Sequence, residues 1–336
     1  MSDQSVVSER LFGSEAAFAH PVTLWLSVGV ASLLVATPLI VMVLAATGRV
    51  SAKLRAELDA RWRSWLVIAP LMLVPVLAGP AFTIGAVCLL SLMCYREFAR
   101  ATGGFRARRE SLVVVLGVAL LTLASVDHWY NLFVAVTPLA VMLIAVVSIL
   151  ADEPKGYIQR VSVAAFGFLF FGACLGHLGY FANDPGYRPM LLMILVCVEL
   201  SDIAAYICGK TFGRRKLCPN TSPSKTLGGA LGSLVFTTAL VATIGRWVFA
   251  GTAMDSTGRL IGLGIIVGVL AQLGDLMLSS VKRDLGVKDL GTLFPGHGGL
   301  LDRFDSLVLV APAAFHFIGY FNGIGVGEPI RVFTAP

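Results

Sequence analysis

A chain of 336 residues that is 57% hydrophobic and only 14% charged lacks the makeup of a water-soluble domain, which carries roughly 25% charged residues. With a mean hydropathy of +0.82 it reads as an all-α polytopic membrane protein, a bundle of about ten transmembrane or partial helices. The net charge of +6 says little alone, because in a membrane protein the placement of cations matters more than their sum; no nucleic-acid partner is expected.

A spanning helix needs about 20 apolar residues. The runs 22–46, 65–79, 81–95, 111–126, 130–150, 161–182, 189–209, 227–250, 260–281 and 306–324 qualify, the second and fourth being short. The first begins near Pro21 with no basic segment ahead of it, so a cleavable signal peptide is not expected. Segments 47–64, 96–110, 151–160, 210–226 and 282–305 lie between alternate runs and hold 21 of the 26 Lys and Arg residues. That bias puts them in the cytoplasm and both termini on the other face. Arg188 and Arg246, near the far ends of their runs, are expected to snorkel.

Residues 1–150 read as a transmembrane scaffold whose basic segments set topology and attract anionic headgroups. Residues 151–325 read as a catalytic membrane domain with cytoplasmic loops 210–226 and 282–305, and residues 326–336 as a tail. The run 161–182 is rich in Gly and Phe, as close helix packing in lipid requires. His177, alone in it, is read as a hydrogen-bonded packing residue ahead of a ligand. The six cysteines are scattered without a C-x-x-C pair and read as small buried hydrophobes.

Charge inside a span is costly, and is usually functional or paired. Glu199, Asp202 and Tyr206 follow at i, i+3, i+7, and Gln272, Asp275 and Ser279 repeat that spacing with Lys282 one turn on. Each set therefore shares a helical face. In the alternating topology both stripes lie in the cytoplasmic half, under loops 210–226 and 282–305. Two acidic faces beneath two basic, glycine-containing loops describe a metal–phosphate site; the competing reading is a network of ion pairs that only stabilises.

The stretch 279–305 concentrates four cations, four aspartates, one histidine and five glycines. Carboxylates can hold a divalent cation, Lys and Arg can neutralise phosphates, and glycines let the backbone approach them. In loop 210–226, Ser222-Pro-Ser-Lys-Thr226 immediately precedes a span. Its hydroxyls and N–H groups can cap that helix, and a helix N-terminus beside Lys225 is suited to a phosphate.

These residues resemble the signature of the phosphatidate cytidylyltransferases. It runs S-x-hydrophobic-K-R, four residues, K-D-x-small, then P-x-H-G-G-x-x-D-R-hydrophobic-D. Here it reads Ser279-Ser-Val-Lys-Arg283, Lys288-Asp289, Pro295-Gly-His-Gly-Gly299 and Asp302-Arg-Phe-Asp305. Upstream, Gln272-Leu-Gly-Asp275-Leu, the pattern Asp202, Ala205, Tyr206, Gly209 with Phe212-Gly213, and Ser222-Pro-Ser-Lys-Thr226 resemble further boxes of that family. The similarity covers roughly residues 155–316. One position departs: where the family carries Glu-Gly after S-P-x-K-T and a hydrophobic residue, this chain has Gly228-Gly229. Glu199 or water could stand in for the missing acid, or the lipid acceptor has changed. If the loss weakens metal binding, Gly228→Glu should lower the Mg²⁺ needed for half-maximal rate.

The resemblance implies transfer of a cytidylyl group from CTP to phosphatidate at the cytoplasmic face of the inner membrane, with Mg²⁺ required and a homodimer as the assembly. It implies metal binding by Asp275, Asp302 and Asp305, with Asp202 and Asp289 as second choices. Lys225, Lys282, Arg283, Lys288 and Arg303 would meet phosphates. Ser222, Thr226, Ser279 and the turn of Gly296, Gly298 and Gly299 would offer hydroxyl or N–H donors, and His297 would contact a phosphate or orient a carboxylate. The same inventory accommodates a nucleotidyltransferase acting on an ether-lipid or polyprenyl phosphate, a CTP-dependent lipid kinase, or a non-catalytic lipid-binding or transport relative.

Overall fold

The ten apolar runs become ten membrane-length helices. The computed structural model describes residues 3–14, 17–48, 51–294, 298–323 and 331–334. After a short α1 (Asp3–Phe12) come α2 (Pro21–Ala46), α3 (Ala52–Ala78), α4 (Pro80–Thr102), α5 (Arg108–Val126) and α6 (Tyr130–Ile149). The rod Tyr157–Asn183 is built from α7 (Tyr157–Gly167), a π turn (Phe168–Cys174) and α8 (Leu175–Tyr180). Then follow α9 (Tyr187–Phe212), α10 (Leu227–Val248), α11 (Thr257–Asp284) and α12 (Leu301–Asn322). Ten of these elements are long and apolar enough to cross a membrane, and the chain is a multi-pass membrane protein.

The helices outrun their apolar cores because charged residues near the interface continue the hydrogen-bonded turns. Ser51 caps α3 by accepting from Leu54 N at 3.3 Å, so Lys53, Arg55, Arg61 and Arg63 ride on that helix. The short runs 65–79 and 111–126 are thereby lengthened. The expectation of a loop over 282–305 is corrected in the same way. Lys282 and Arg283 lie in the last turn of α11, and Asp302, Arg303 and Asp305 begin α12, leaving 285–300 as the loop.

Cross-contacts sort the connections into two ends. At one end, Arg283 Nε donates to Thr221 O at 3.2 Å, Leu300 N donates to Glu97 at 2.9 Å, and Arg160 lies 3.8 Å from Glu110. These tie together segments 96–110, 151–160, 210–226 and 282–305, four of the five that the cation bias grouped. At the other end, Arg10 donates to Asn183 Oδ1 at 2.8 Å and Val126 O at 2.7 Å, and Met254 N donates to Asn322 Oδ1 at 3.1 Å. Arg188 belongs there too, but it does not snorkel. It is buried, donates to Val76 O at 3.2 Å and Gly13 O at 2.6 Å, and packs on the Tyr187 ring. Two carbonyls at the ends of other segments satisfy it where water would otherwise be needed.

The core lies in the second half. Among the described residues α12 is 56% buried over its most apolar window and α2 only 6%, so α2 is peripheral. Small residues set the close contacts: a Cβ at Gly117 would sit 2.6 Å from the Phe168 ring, and one at Gly167 would sit 2.8 Å from Tyr95. His177 is a packing residue, with Nδ1 2.8 Å from Ala173 O and its ring against Phe133 and Phe315. All six cysteines are free. Helices α9 and α10 meet backbone to backbone: Gly209 and Gly213 face Thr226 and Gly229, and Ser233 Oγ donates to Ser201 O at 2.7 Å.

At the end away from the basic loops, Asp127 clasps residues 332–334. Its Oδ1 accepts from Val332 N at 2.9 Å, Phe333 N at 2.6 Å and Thr334 N at 3.3 Å, and its Oδ2 accepts from the Thr334 hydroxyl. Burial alone would raise the Asp127 pKa, but the hydroxyl and three N–H groups outweigh it and hold it below the usual carboxylate value. Next to it, burial pushes His128 down to about 4, helped by Arg10 and Arg331. Both signs point the same way. His128 stabilises fully above its unfolded value near 6.5 and loses that contribution as pH falls toward about 4. Asp127 contributes above its ordinary value and fails as pH drops through its lowered one. Acidification should therefore free residues 331–334 before the bundle unfolds. Proteolysis of detergent-solubilised protein at pH 7 and, with an acid protease, at about pH 2 checks this, because Asp127 keeps its charge until the pH is below the ordinary carboxylate value, and Asp127→Asn should release the segment at both.

Candidate active site

The candidate site forms where the basic-loop ends of α9 and α11, the start of α12 and a two-stranded hairpin converge. The hairpin pairs β1 (Lys216–Cys218) with β2 (Ser222–Thr226), Lys216 opposite Thr226 and Cys218 opposite Ser222. An all-helical reading does not anticipate it. Its second strand runs directly into α10, whose first turn is capped by Thr226 Oγ1 accepting from Gly229 N at 3.1 Å. The expected helix cap is therefore present, and the strand fixes where Lys225 points.

Lys225 Nζ pairs with Asp275 Oδ2 of α11, while Ser279 Oγ donates to Asp275 Oδ1 at 3.1 Å. The i, i+4 spacing read from the sequence thus orients the carboxylate. Gln272, one turn earlier, serves packing: its Nε2 donates to Ala230 O at 3.0 Å and Gly268 O at 3.2 Å, tying α11 to α10. One turn beyond Ser279, Lys282 is buried, with Nζ 3.0 Å from Asp302 Oδ1 and 3.8 Å from Asp305 Oδ2. Asp202 of α9 lies within electrostatic reach of Asp275, Lys225 and Arg303, and Asp305 within reach of Asp275, Lys282, Asp202 and Arg303. Glu199, a turn away, feels Asp202 and Arg303. Three helices and a hairpin thus bring five carboxylates and three cations into one cluster.

Asp302 organises the loop that precedes it. Its Oδ2 accepts from Leu290 N at 3.0 Å and Gly299 N at 2.9 Å, while Lys282 holds its other oxygen. Phe294 N donates to Gly298 O at 2.8 Å. Gly298 has φ +79°, and a Cβ there would sit 2.8 Å from Asp302 Oδ2 and 3.2 Å from Asp289, so only glycine suits the position. Asp289 and Lys288 are exposed beside this turn, and Arg283 reaches the hairpin at Thr221. Ser222 is half-buried in β2. Pro295, Gly296 and His297 lie outside the described residues.

The proposed metal ligands differ in how free they are. Asp302 already holds one cation and two N–H groups, whereas Asp202 is exposed and Asp275 half-buried. Among the described residues no three His, Cys, Asp or Glu side chains form a ready metal cage. Arg303 Nε is buried without a partner among the described residues.

Sequence reasoning missed Glu97. Carried by α4, it accepts from Leu300 N at 2.9 Å and Leu301 N at 2.8 Å. The one available signal was an acid beside Arg96 and Arg100 in a segment otherwise explained by topology.

Position 228 is also explained. A Cβ on Gly228 would lie 2.7 Å from Phe212 O and 2.9 Å from Phe212 C, both backbone atoms. The α9–α10 contact leaves no room for a side chain, so Gly228→Glu does not restore a ligand as the sequence suggested. Gly228→Ala should instead destabilise the protein by about 1–3 kcal/mol through overpacking, and Gly228→Glu by more, seen as lowered melting midpoints in detergent.

Residues 59–321 match the cytidylyltransferase family. The Escherichia coli K12 protein named "Uncharacterized protein YnbB" is 34% identical over 275 residues, covering 79% of this chain and 88% of its own. A Synechocystis protein named phosphatidate cytidylyltransferase is 35% identical over 278 residues, 72% of this chain and 90% of that one. A Staphylococcus aureus protein of the same name is 38% identical over 155 residues, 46% of this chain and 55% of its own. With the match spanning most of the helices that build the cluster, the chain belongs to the cytidylyltransferase family.

Proposed function

We propose that the chain transfers the cytidylyl group of CTP to the phosphate of phosphatidate, giving CDP-diacylglycerol and pyrophosphate. The observation that carries this reading is the convergence of Asp202, Asp275 and Asp305 with Lys225, Lys282 and Arg303 at one membrane end. The names of the relatives support it. The site faces the cytoplasm of the inner membrane in this reading, because the clustered cations lie on the same side as the site, and the active assembly is a homodimer.

The lipid phosphate is already an anionic nucleophile, so no serine or cysteine need be activated. One of its oxygens attacks the α-phosphorus of CTP, the α–β anhydride bond breaks, and pyrophosphate leaves with the electron pair. The barrier is the approach of one polyanion to another. Lys225 and Arg303 lower it by neutralising charge, with Arg283 and Lys288 at the rim and Lys282 held back by Asp302 and Asp305. The Nε of Arg303, buried and without a partner among the described residues, is a donor suited to a phosphate oxygen.

The donor set fits Mg²⁺. Among the described residues it is all oxygen and forms no ready cage, which suits an ion that binds through one or two carboxylates plus substrate phosphates and keeps several waters. Asp275 and Asp202 would hold it first, with Asp305, Asp289 and Asp302 behind them. When bound, Mg²⁺ offsets charge on the triphosphate and the leaving pyrophosphate.

The test is incubation of purified protein with CTP, Mg²⁺ and a panel of lipid phosphates and lipid alcohols. The expected result is a lipid bearing CMP and one pyrophosphate per turnover, with phosphatidate the best acceptor. A phosphorylated alcohol with CDP would identify a kinase, and CMP transfer only to a polyprenyl or ether-lipid phosphate would change the acceptor. No turnover with any acceptor would refute the reading.

A further inference from the structure

We infer that Glu97, in the half of the chain read as scaffold, is a positioning residue for the site; this rests on the function proposed above. Helix α12 has no side-chain cap of its own: its N-cap is Leu300. A helix start leaves orphan N–H groups with partial positive charge, and here the carboxylate that meets them comes from α4. Glu97 Oε1 accepts from Leu300 N at 2.9 Å and Oε2 from Leu301 N at 2.8 Å. The next residue is Asp302, so the cap sets the height and rotation of the turn carrying Asp302, Arg303 and Asp305.

The loop is shaped around this carboxylate. A Cβ at Gly291 or Gly299 would lie less than 3.0 Å from Glu97 carboxylate atoms and from the other glycine's Cα. Two glycine backbones thus wrap one acid, while Asp302 holds Leu290 N and Gly299 N from the other side. Residues 290, 291 and 299–301 are thus gripped between two carboxylates. Such an arrangement fixes where the turn of α12 and the loop stand relative to Asp275 and Lys225.

The chemistry of the cap makes the prediction specific. Both oxygens accept from N–H groups, so Glu97→Gln turns one acceptor into a donor facing a donor and removes the charge. Glu97→Asp keeps the charge but shortens the reach. Glu97→Gln is expected to lower kcat roughly 10- to 100-fold, as misplacement of about 1 Å does, with KM for CTP changing less than about threefold. Glu97→Asp should recover part of kcat. Hydrogen exchange at the Leu300 and Leu301 amides should rise in Glu97→Gln, a readout that needs no turnover. If the parent protein makes no CMP-lipid but the exchange result holds, the functional reading fails and the cap survives. Wild-type kcat per folded molecule in Glu97→Gln, with only a lower melting midpoint, would reduce Glu97 to a purely structural role and overturn the inference. Should Glu97→Gln fail to fold, the same two measurements on Glu97→Asp decide: unchanged kcat and unchanged exchange overturn it.

Discussion

Asp275→Asn is expected to lower CTP-dependent transfer by roughly 100- to 1,000-fold, the range seen when one preorganised electrostatic group is lost from an active site. The substitution keeps size and can still accept from Ser279, which lies 3.1 Å away. It removes the charge that holds Lys225 and that would meet a divalent ion. Because the Asp275 and Lys225 side chains are each about a fifth exposed (23% and 22%), the fold should tolerate the change, and gel filtration in detergent should remain monodisperse. The loss should therefore appear in kcat with intact protein. Activity within threefold of wild type, measured as labelled CTP entering lipid, would remove Asp275 from the site.

Lys282→Met should have the largest effect on stability. The Asp302 and Asp305 side chains are 2% and 9% exposed, and Lys282 lies 3.0 Å and 3.8 Å from them. Removing the cation leaves two buried carboxylates without their nearest countercharge and with only backbone N–H donors in contact, which costs about 3–5 kcal/mol when a buried pair is broken from one side. The expected result is a sharply lowered unfolding midpoint in a detergent titration. Adding Asp302→Asn to that variant should recover part of the loss, because one of the stranded charges is gone. An unchanged midpoint in the single variant would show that water or the headgroup region already neutralises the pair.

Much of this site is written locally. Asp275, Ser279 and Lys282 repeat at helical spacing, so their common face and the Asp275–Ser279 contact follow from the sequence. The ten spans and their alternation follow from apolar runs and cation placement. Other features escape because one partner is backbone, which has no letter. Glu97 meets the amides of Leu300 and Leu301, some two hundred residues away. Arg188 meets the carbonyls of Val76 and Gly13, so a residue expected at the surface is buried. The hairpin of Lys216–Cys218 and Ser222–Thr226 is too short for a periodic signal. Gly228 reads as a missing acid until the Phe212 carbonyl is seen against it.

The glycine seam between α9 and α10 has a mechanical consequence. Rotamer changes are the easiest way for packed helices to give, and this seam offers almost none, since backbone lies on backbone at Gly209, Gly213, Gly228 and Gly229. The pair acts as a weld. Because α11 meets α10 and α12 in the same way at Gly264 and Gly274, whatever widening admits a bulky two-tailed molecule must be taken up toward the first-half helices, where Gly117 and Gly167 face the Phe168 and Tyr95 rings, side chains that can swing.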